Sequence, residues 1–401
     1  MKYVMVIGDG MADTKLAALG GKTPLEALEL PNFDCLAGGE FGLAQTVPHG
    51  VPAGSDTAIL NIFGYDPRRY YTGRSVLEAA GVGVLLQPGE TSFRMNLCAV
   101  EDGVMLSHNG GGIEGDEAEA LTRDLLRDPA FDEAARALGL RVTVSRTFRH
   151  IGVMNTPSTG EFLLKEPHNI LGEKWERYLP QGSCAEELTA LMLRSHAFLD
   201  AHPINAARRR AGQLPANLLW PWGAGRAVRL PSFVKKYRRQ GAVISAVPLV
   251  WGIAALAGLS APKVPGATGE LDTNYEGKVD AALAALAQGA DFAAVHVEAP
   301  DEMSHAGALD KKLEAIRRLD RRVIHRLLER LPAVDRDFRL LLLSDHPTLM
   351  TTRTHDGAPV PYAIFDSRRQ GTPRKFSEAA AAHGTFLENG DLLMPRLFEQ
   401  G

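Results

Sequence analysis

Carboxylates and imidazoles follow several apolar runs of this 401-residue chain. The run 338–343 is followed by Asp345 and His346, and the run 3–7 by Asp9. Runs of this kind are typical of strands buried on both faces of a parallel sheet, and ligands bind at the carboxyl ends of such strands. We therefore expect these three side chains to converge, although a cap and a hydrogen-bonded loop residue would explain an isolated Asp-His pair equally well.

A second group of similar side chains follows the run 292–297. Asp301 and His305 are spaced so that one helical turn would place both on the same face. His355 comes shortly after His346. Oxygen and nitrogen donors of these types suit manganese, magnesium, zinc or iron, and the residue types do not choose among the four ions.

Ser55 is the candidate nucleophile. It follows Gly54 and precedes a helical pattern, where serine is a common N-cap. At the same position, helix amides could stabilise the phosphoryl oxygens of an anion held on the serine side chain. The residues alone leave both interpretations open.

Seven side chains make up the candidate metal site. Seven donors are too many for one tetrahedral ion but suit two adjacent ions, each with a position for a substrate oxygen. Two ions could hold a phosphate, lower the pKa of the serine hydroxyl and offset the charge that develops during phosphoryl transfer. The seven are Asp9, Ser55, Asp301, His305, Asp345, His346 and His355.

The elements that position these residues come from both ends of the chain. Strand and helix patterns alternate in 1–75 and 229–401, whereas 76–228 mixes hairpins and helices. We predict a discontinuous α/β core with a parallel sheet and an inserted α+β domain. Predicted core elements include strands at 2–8, 40–47, 242–247, 292–297, 338–343 and 361–365 and one long helix at 309–331; the insert is predicted to contain a hairpin at 93–106, strands near 141–144 and 150–154, and helices at 116–127, 131–138 and 185–201.

Bulk composition excludes several functional classes. The chain is 45% hydrophobic and 23% charged, with a net charge of -4 and dispersed basic residues, which argues against nucleic acid as a partner. Apolar runs are too short to span a membrane and no secretory signal is recognisable, so we expect a cytoplasmic protein. Cys35, Cys98 and Cys184 lack the spacing of a disulfide framework or a thiolate zinc site.

Ordered motifs in the chain resemble those of the alkaline phosphatase superfamily. More narrowly, they are similar to the cofactor-independent phosphoglycerate mutases of the short, archaeal-type branch. The resemblance extends over nearly the whole chain. The motifs are Ile7-Gly8-Asp9-Gly10, 52–58, 299–305, Ser344-Asp345-His346 and 354–361.

This resemblance implies an activity and a division of the donors. Ser55 would accept the phosphoryl group of 3-phosphoglycerate and return it to the neighbouring hydroxyl, giving 2-phosphoglycerate without 2,3-bisphosphoglycerate. Of the four candidate ions we expect manganese. The insert would act as a lid that keeps water from the phosphoserine. One metal would be held by Asp301, His305 and His355, and the other by Asp9, Ser55, Asp345 and His346.

A substrate with a phosphate and a carboxylate should be bound by cationic side chains with several donors. A single arginine is more often exposed or ion-paired, and His150 could equally be a core histidine. We interpret His168 and His383 as structural. The substrate-binding candidates are Arg74, Arg94, Arg149, His150, Arg226 and Lys278.

Several alternatives share this core. The long mutases follow their Asp-His pair with residues other than Pro347 and Thr348, so their substrate-binding residues cannot be transferred. A bacterial subgroup of the short branch has been proposed to phosphorylate homoserine, which makes a related phosphotransferase the main alternative. A metal-dependent phosphatase is disfavoured by a water-excluding insert, and a non-catalytic scaffold is the alternative of another class. Each would bind a small phosphorylated metabolite, in an oligomeric state left open.

Overall fold

The structure, a computed structural model, describes residues 1–156, 161–369 and 371–399. The chain divides into two compact units. The first comprises Met1–Tyr71, Ala80–Val82 and Arg229–Gly401, and the second comprises Thr72–Ala79 and Gly83–Val228. The predicted boundaries lie after residues 75 and 228, so the first boundary is a few residues earlier in the structure than in the prediction.

A seven-stranded sheet forms the centre of the first unit. The α/β fold class is confirmed, but the predicted parallel sheet contains one antiparallel strand, Val360–Asp366. The other six strands run in one direction. In spatial order the strands are Gly241–Ile244, Phe292–Val297, Lys2–Gly8, Phe338–Leu343, Val360–Asp366, Glu40–Ala44 and Thr385–Leu387.

The register of the three central strands positions the site. Ile7 pairs with His296 on one side and with Leu343 on the other. Asp9 and Asp345 each lie two residues beyond this level, so both emerge at the same edge of the sheet. The strands Phe292–Val297 and Phe338–Leu343 are buried along their whole length, as expected for strands covered on both faces.

Helices of the first unit pack their apolar side chains onto the sheet. Val279 and Leu283 of the helix Tyr275–Ala287 and Ile316 of the helix Leu309–Arg318 share a core with the central strands. The remaining α-helices and short strands of this unit are Pro24–Ala27, Pro31–Leu36, Ser55–Ile62, Pro67–Tyr70, Phe233–Tyr237, Pro248–Ala257, Ala299–His305, His325–Val334, Glu378–Ala381 and Leu393–Phe398, with 3-10 turns at Ala17–Leu19 and Gly390–Leu392 and a two-stranded ribbon of Thr348–Leu349 and Thr354–His355.

The prediction of one continuous helix at 309–331 is wrong, because the helix is interrupted in its middle. A π-helical segment, Leu319–Ile324, separates the helices Leu309–Arg318 and His325–Val334. Asp320 lies in this segment, is buried, and accepts hydrogen bonds from the backbone amides of Asn32 and Phe33 at 3.0 and 2.9 Å. Both amides lie in the first turn of the helix Pro31–Leu36, where backbone amides have no partner within the helix. The Asp320 carboxylate therefore caps this helix, although the two are far apart in the sequence.

Two predicted strands end earlier than expected. The strand Glu40–Ala44 stops before Val47, and Gly241–Ile244 stops before Val247. Pro48 and Pro248 follow these regions and cannot donate a hydrogen bond to a sheet.

The second unit is built on an antiparallel sheet. Its long strand Glu90–Glu101 pairs with Val104–Ser107, Arg149–Asn155 and Leu218–Arg226, and Arg149–Asn155 also pairs with Arg141–Thr143. The predicted hairpin is confirmed, with its turn at Asp102 and Gly103, both at positive φ. Its α-helices are Gly115–Leu125, Pro129–Ala137, Ala185–Asp200 and Pro203–Arg210, with 3-10 turns at Pro167–Ile170 and Trp175–Tyr178, a small ribbon of Phe162–Leu163 and Gln181–Gly182, and the helix Arg74–Gly81 at its boundary.

Across the described parts of the chain, no helix is both long enough and apolar enough to cross a lipid bilayer.

Candidate metal centre and active serine

Ser55 is the first residue of the helix Ser55–Ile62, and Gly54 occupies the capping position. The serine makes no capping hydrogen bond. Its Oγ instead lies 3.2 Å from Asp9 Oδ2 and 3.1 Å from His346 Nε2. The N-cap interpretation is therefore wrong, and the hydroxyl lies among the side chains at the strand ends.

Asp9, Asp345 and His346 form a buried group at the ends of two neighbouring strands. His346 Nε2 lies 3.6 Å from Asp9 Oδ1 and 3.3 Å from Asp345 Oδ2. Asp345 Oδ1 accepts hydrogen bonds from the backbone amides of Gly10 and His346, at 3.1 and 2.8 Å. Asp345 Oδ2 is buried and has no hydrogen-bond partner among the described residues.

Asp301, His305 and His355 form a second group. The helix Ala299–His305 places the first two side chains on one face, with His305 Nε2 3.2 Å from Asp301 Oδ2. His355 Nε2 lies 2.9 Å from His305 Nε2 and 3.5 Å from Asp301 Oδ1. His346 joins the two groups, because its ring centroid is 4.2 Å from that of His355.

Burial and crowding perturb these groups strongly. Burial, followed by the charge of Asp345, raises the pKa of Asp9 well above its usual range. Burial also favours the protonated form of Asp301, but hydrogen bonds with His305 and His355 hold its pKa well below the usual range. The hydrogen bond with Asp301 raises the pKa of His305 to about 9. Buried carboxylates that face each other are costly in the absence of a cation.

The residues fit divalent metal ions. Asp345 Oδ2 is buried without a hydrogen-bond partner among the described residues, and all donors of the two groups are oxygen or nitrogen atoms. The distances of 2.9 to 3.5 Å within the Asp301 group match the roughly 3.3 Å separation of neighbouring ligands around one tetrahedral ion with bonds of about 2 Å. The structure therefore brings all seven predicted donors together in an arrangement suited to metal binding.

His296 is a supporting residue that the sequence analysis missed. Its Nε2 lies 2.9 Å from Asp9 Oδ2, and its Nδ1 lies 3.0 Å from Ser245 Oγ. Burial lowers the pKa of His296 to about 3, so the ring is neutral. A histidine inside an apolar strand was the available signal, because a polar group buried on both sides of a sheet needs partners.

Lys278, a predicted substrate-binding residue, lies in the first unit. Its side chain is fully buried, and its Nζ donates to the carbonyl oxygen of His296 at 3.1 Å. Burial lowers the pKa of Lys278 to about 8, and the charge of Glu298 opposes this effect. The lysine thus supports the strand that carries His296, and its role as a substrate ligand stays a prediction.

The comparisons with known proteins decide the family. A family model described as 2,3-bisphosphoglycerate-independent phosphoglycerate mutase matches residues 37–205. A protein of that name from Methanosarcina acetivorans is 42% identical over 388 residues, covering 96% of both chains. The chain belongs to this mutase family. A Geobacter sulfurreducens protein named as a probable 2,3-bisphosphoglycerate-independent phosphoglycerate mutase is also 42% identical, and the alignment covers 100% of both chains.

Two solved structures share the fold of this chain. A protein from Pyrococcus horikoshii is 28% identical with a TM-score of 0.80, covering 100% of this chain and 98% of its own. A cofactor-independent phosphoglycerate mutase from Thermoplasma acidophilum has a TM-score of 0.62 at 24% identity, covering 98% of this chain and 99% of its own, and shows the fold alone. Proteins that carry the mutase name are isomerases, so the family is one of enzymes.

The second unit of this mutase family member gathers arginines around Glu78. Arg94 Nε lies 2.9 Å from Glu78 Oε2, and Arg74 Nε lies 3.0 Å from Glu78 Oε1. An Arg149 guanidinium nitrogen lies 3.9 Å from the same Oε1. The Arg94 guanidinium also stacks 4.0 Å above the Trp222 ring. We call Glu78, Arg74, Arg94 and Arg149 the arginine cluster.

Charge is unbalanced in the arginine cluster. Burial alone would raise the pKa of Glu78, but the three guanidiniums, Arg94 first, hold it below its usual range. Burial lowers the pKa of Arg94 to about 9 against the opposing charge of Glu78, so Arg94 remains charged at neutral pH. Three guanidiniums converge on Glu78, and clustered guanidiniums are well suited to binding carboxylate or phosphate oxygens.

The other second-unit candidates have different surroundings. Arg226 is half-buried at the end of the strand Leu218–Arg226, and its carbonyl oxygen accepts from Thr72 Oγ1 at 2.6 Å. His150 is fully buried, with Nε2 2.8 Å from Thr122 Oγ1 and Nδ1 accepting from the Ser145 amide at 3.0 Å. Both ring nitrogens of His150 are therefore used internally, and we withdraw it as a substrate ligand.

Two histidines interpreted as structural are exposed. His168 is exposed in the second unit. Its ring lies edge-on to the Trp222 ring, with the two centroids 5.3 Å apart, and this contact is consistent with a structural residue. His383 is exposed in the first unit.

Proposed function

We propose that this protein interconverts 3-phosphoglycerate and 2-phosphoglycerate through a phosphoserine formed on Ser55. The observation that carries the proposal is the position of the Ser55 hydroxyl, 3.2 Å from Asp9 and 3.1 Å from His346 instead of on its own helix end. Membership of the mutase family supports the substrate. The proposal requires divalent metal and no 2,3-bisphosphoglycerate.

The proposed ligand sets follow the two groups of donors. Bound ions would neutralise phosphate charge and lower the pKa of the serine hydroxyl. Manganese is the expected ion, with magnesium, zinc and iron to be tested beside it. One set consists of Asp301, His305 and His355, and the other of Asp9, Ser55, Asp345 and His346.

The proposed reaction balances without a further reactant. Ser55 Oγ forms a bond to phosphorus as the bond from phosphorus to the substrate O3 breaks, and the proton lost by Oγ is matched by one gained at O3. In the second half, the substrate O2 forms a bond to phosphorus as the bond from phosphorus to Oγ breaks, and the proton lost by the O2 hydroxyl is matched by one gained at Oγ. Ser55 begins its helix, so the helix dipole favours the negative phosphoryl oxygens at this position.

We propose that arginines of the second unit bind the anionic groups of the substrate. Arg74, Arg94 and Arg149 converge on Glu78, and Arg226 is a further candidate. Guanidiniums bind carboxylate and phosphate oxygens in pairs, which suits a phosphoglycerate. We propose the second unit as the part of the enzyme that recognises the substrate.

An enolase-coupled assay tests the function. Purified protein with Mn²⁺ should convert 3-phosphoglycerate to the 2-isomer, and Ser55→Ala should abolish the conversion. Intact mass after brief incubation with substrate should show one added phosphoryl group in the wild type and none in the variant. Ser232→Ala is the matched control, because Ser232 truly caps its helix through the Lys235 amide and its loss should cost about 1 kcal/mol of stability without loss of activity.

Other outcomes of the same experiment would overturn the proposal. Release of phosphate without the isomer would indicate a phosphatase. Transfer from a nucleotide to homoserine, with no isomerisation, would indicate the kinase-like alternative. Absence of both activity and phosphoserine with every ion tested would leave a metabolite-binding scaffold.

A further inference from the structure

A single threonine hydroxyl touches both proposed ligand sets. Thr348 Oγ1 donates a hydrogen bond to Asp301 Oδ1 at 2.6 Å. The same oxygen lies 3.2 Å from Nδ1 of His346. Asp301 belongs to one set and His346 to the other, so the hydroxyl connects them by two consecutive hydrogen bonds.

The hydrogen-bonding capacity of the hydroxyl decides the direction of the second bond. A hydroxyl has one proton, and here an ionised carboxylate, which can only accept, takes it. The contact with His346 must then be donated by Nδ1–H, an arrangement that the carbonyl oxygen of Pro347, 3.3 Å from Nδ1, also favours. The Nε2 lone pair of His346 is thereby left for the site, where it lies 3.1 Å from Ser55 Oγ.

The position of Thr348 is itself tightly held. Its amide donates to Ala12 O at 3.1 Å, and its carbonyl oxygen accepts from Lys312 Nζ at 2.7 Å. Lys312 forms a fully buried ion pair with Asp13 at 2.8 Å. These contacts involve the backbone of Thr348, so they would persist with any side chain of similar shape.

The backbone of Gly10 packs closely against the Thr348 hydroxyl. A Cβ at Gly10 would lie 2.5 Å from Thr348 Oγ1 and 2.6 Å from Asp301 Oδ1, and the residue has φ +61, where side chains other than glycine are strained. The glycine thus permits the backbone to approach the threonine and aspartate closely, which confines the hydroxyl.

We propose that Thr348 is a positioning residue that orients Asp301 and fixes the tautomer of His346, and so couples the two halves of the metal centre; this inference rests on the proposed two-metal function. Backbone contacts determine where Thr348 lies. Its hydroxyl determines the orientation of Asp301 in one ligand set and the tautomer of His346 in the other. Groups that orient metal ligands in this way commonly change metal affinity by about 10- to 100-fold when removed.

Metal titration without substrate tests the inference. Metal-free wild type, Thr348→Val, Thr348→Ser and Thr46→Val would each be titrated with Mn²⁺ by calorimetry. We expect two bound ions in the wild type, both bound about 10- to 100-fold more weakly by Thr348→Val, and affinities close to wild type in Thr348→Ser, which keeps the hydroxyl. Thr46→Val is the matched control, because Thr46 is also fully buried and its hydroxyl has no partner in the described structure.

The outcomes separate this inference from the proposed function. A wild type that binds no divalent ion would overturn the metal centre itself. Two ions bound equally well by wild type and Thr348→Val, or equally weakly by the serine and valine variants, would overturn the role of Thr348 alone. If the valine variant fails to fold, Thr348→Ala, which also lacks the hydroxyl, allows the same comparison.

A spectroscopic measurement provides a second test. Imidazole ¹⁵N shifts of metal-free protein, with His346 assigned through His346→Gln, should show the tautomer protonated at Nδ1 in the wild type and a mixture in Thr348→Val. A wild-type signal from the tautomer protonated at Nε2 would contradict the inference. This readout does not depend on activity, and a purely structural role for Thr348 would leave it unchanged.

Discussion

The two units gather different charged groups. In the first unit, the carboxylates of Asp9, Asp301 and Asp345 converge with several imidazoles, and one carboxylate oxygen has no hydrogen-bond partner in the described chain. In the second unit, three guanidiniums converge on Glu78. One unit gathers buried carboxylates, and the other gathers three guanidiniums, of which Arg94 is buried, around one buried carboxylate.

This difference indicates what each unit binds. A buried charge is costly unless it is paired, so a ligand of opposite charge would stabilise each of these groups. The first unit therefore suits divalent cations, and the second suits an anion such as a carboxylate or phosphate.

The largest effect is expected from removing negative charge in the first unit. Asp345→Asn keeps the shape of the side chain but removes a charged metal ligand, and kcat/KM should fall by about 10³-fold or more, equivalent to about 4 kcal/mol. Mn²⁺ affinity, measured by calorimetry, should fall with it. Asp272→Asn, at an exposed carboxylate of the same unit, is the control. If Asp345→Asn binds Mn²⁺ as tightly as the wild type, the carboxylates of the first unit are not a cation site, and the contrast with the second unit is wrong.

The next largest effect is expected from removing the one anion of the arginine cluster. Glu78→Gln leaves three guanidiniums without their shared counter-charge, and the free energy of unfolding of the second unit should fall by about 3 kcal/mol in urea titrations. Added inorganic phosphate should restore part of this loss, because it supplies the missing negative charge. Glu119→Gln, which breaks the more exposed pair with Arg123, should change stability by less than about 1 kcal/mol. Equal losses in the two variants would argue against a charge surplus.

A moderate effect on binding is expected from Arg94→Lys. Lysine keeps the charge but loses the paired donors and the stacking on Trp222, so KM for 3-phosphoglycerate should rise about 10- to 100-fold, with kcat changed by only a few-fold. Arg136→Lys, at an exposed pair with Asp132, is the matched control and should leave both constants unchanged. A fall in kcat at constant KM would show that Arg94 does not bind the ground-state substrate.

The smallest effect is expected from the pH dependence of His150. Burial lowers its pKa to about 4 in the folded protein, below the value of about 6.5 in an unfolded chain. The unfolded chain therefore takes up the proton first, so the stabilising contribution of His150 is complete above about pH 6.5 and is lost as the pH falls towards 4. At pH 5 the loss should be about 2 kcal/mol relative to pH 7.

Urea unfolding at pH 7 and pH 5 measures this effect. Trp175, Trp220 and Trp222 lie in the second unit and report its unfolding by fluorescence. His150→Asn should reduce the difference between the two pH values, whereas His383→Asn, at an exposed histidine, should not. An unchanged difference in His150→Asn would assign the pH dependence to other groups.

Much of the first unit could be predicted because its signals are local. Continuous apolar runs predicted the central strands, and the position of Asp9 and Asp345 just past those runs predicted their common sheet edge. The spacing of Asp301 and His305 predicted that they share one face of a helical turn. Ser55 remained ambiguous from its local pattern, and only its contacts with Asp9 and His346 excluded the capping interpretation.

Long-range partners could not be predicted from the same signals. Glu78 gave no sign in the sequence that it would hold three arginines, and the burial of Lys278 and His150 became clear only when their partners were visible. The π-helical segment with Asp320 was likewise hidden in an ordinary helical pattern, because its buried carboxylate serves a helix that is distant in the chain.

The sequence by itself determined the fold class, the mutase resemblance and the types of donor available, because apolar periodicity and short motifs act over a few residues. The tertiary structure alone decided which polar groups meet: His296 behind Asp9, Thr348 between Asp301 and His346, and the arginines around Glu78. Such pairs depend on strand order and register, and hydrogen bonds and charges act over distances that only the folded chain brings within reach.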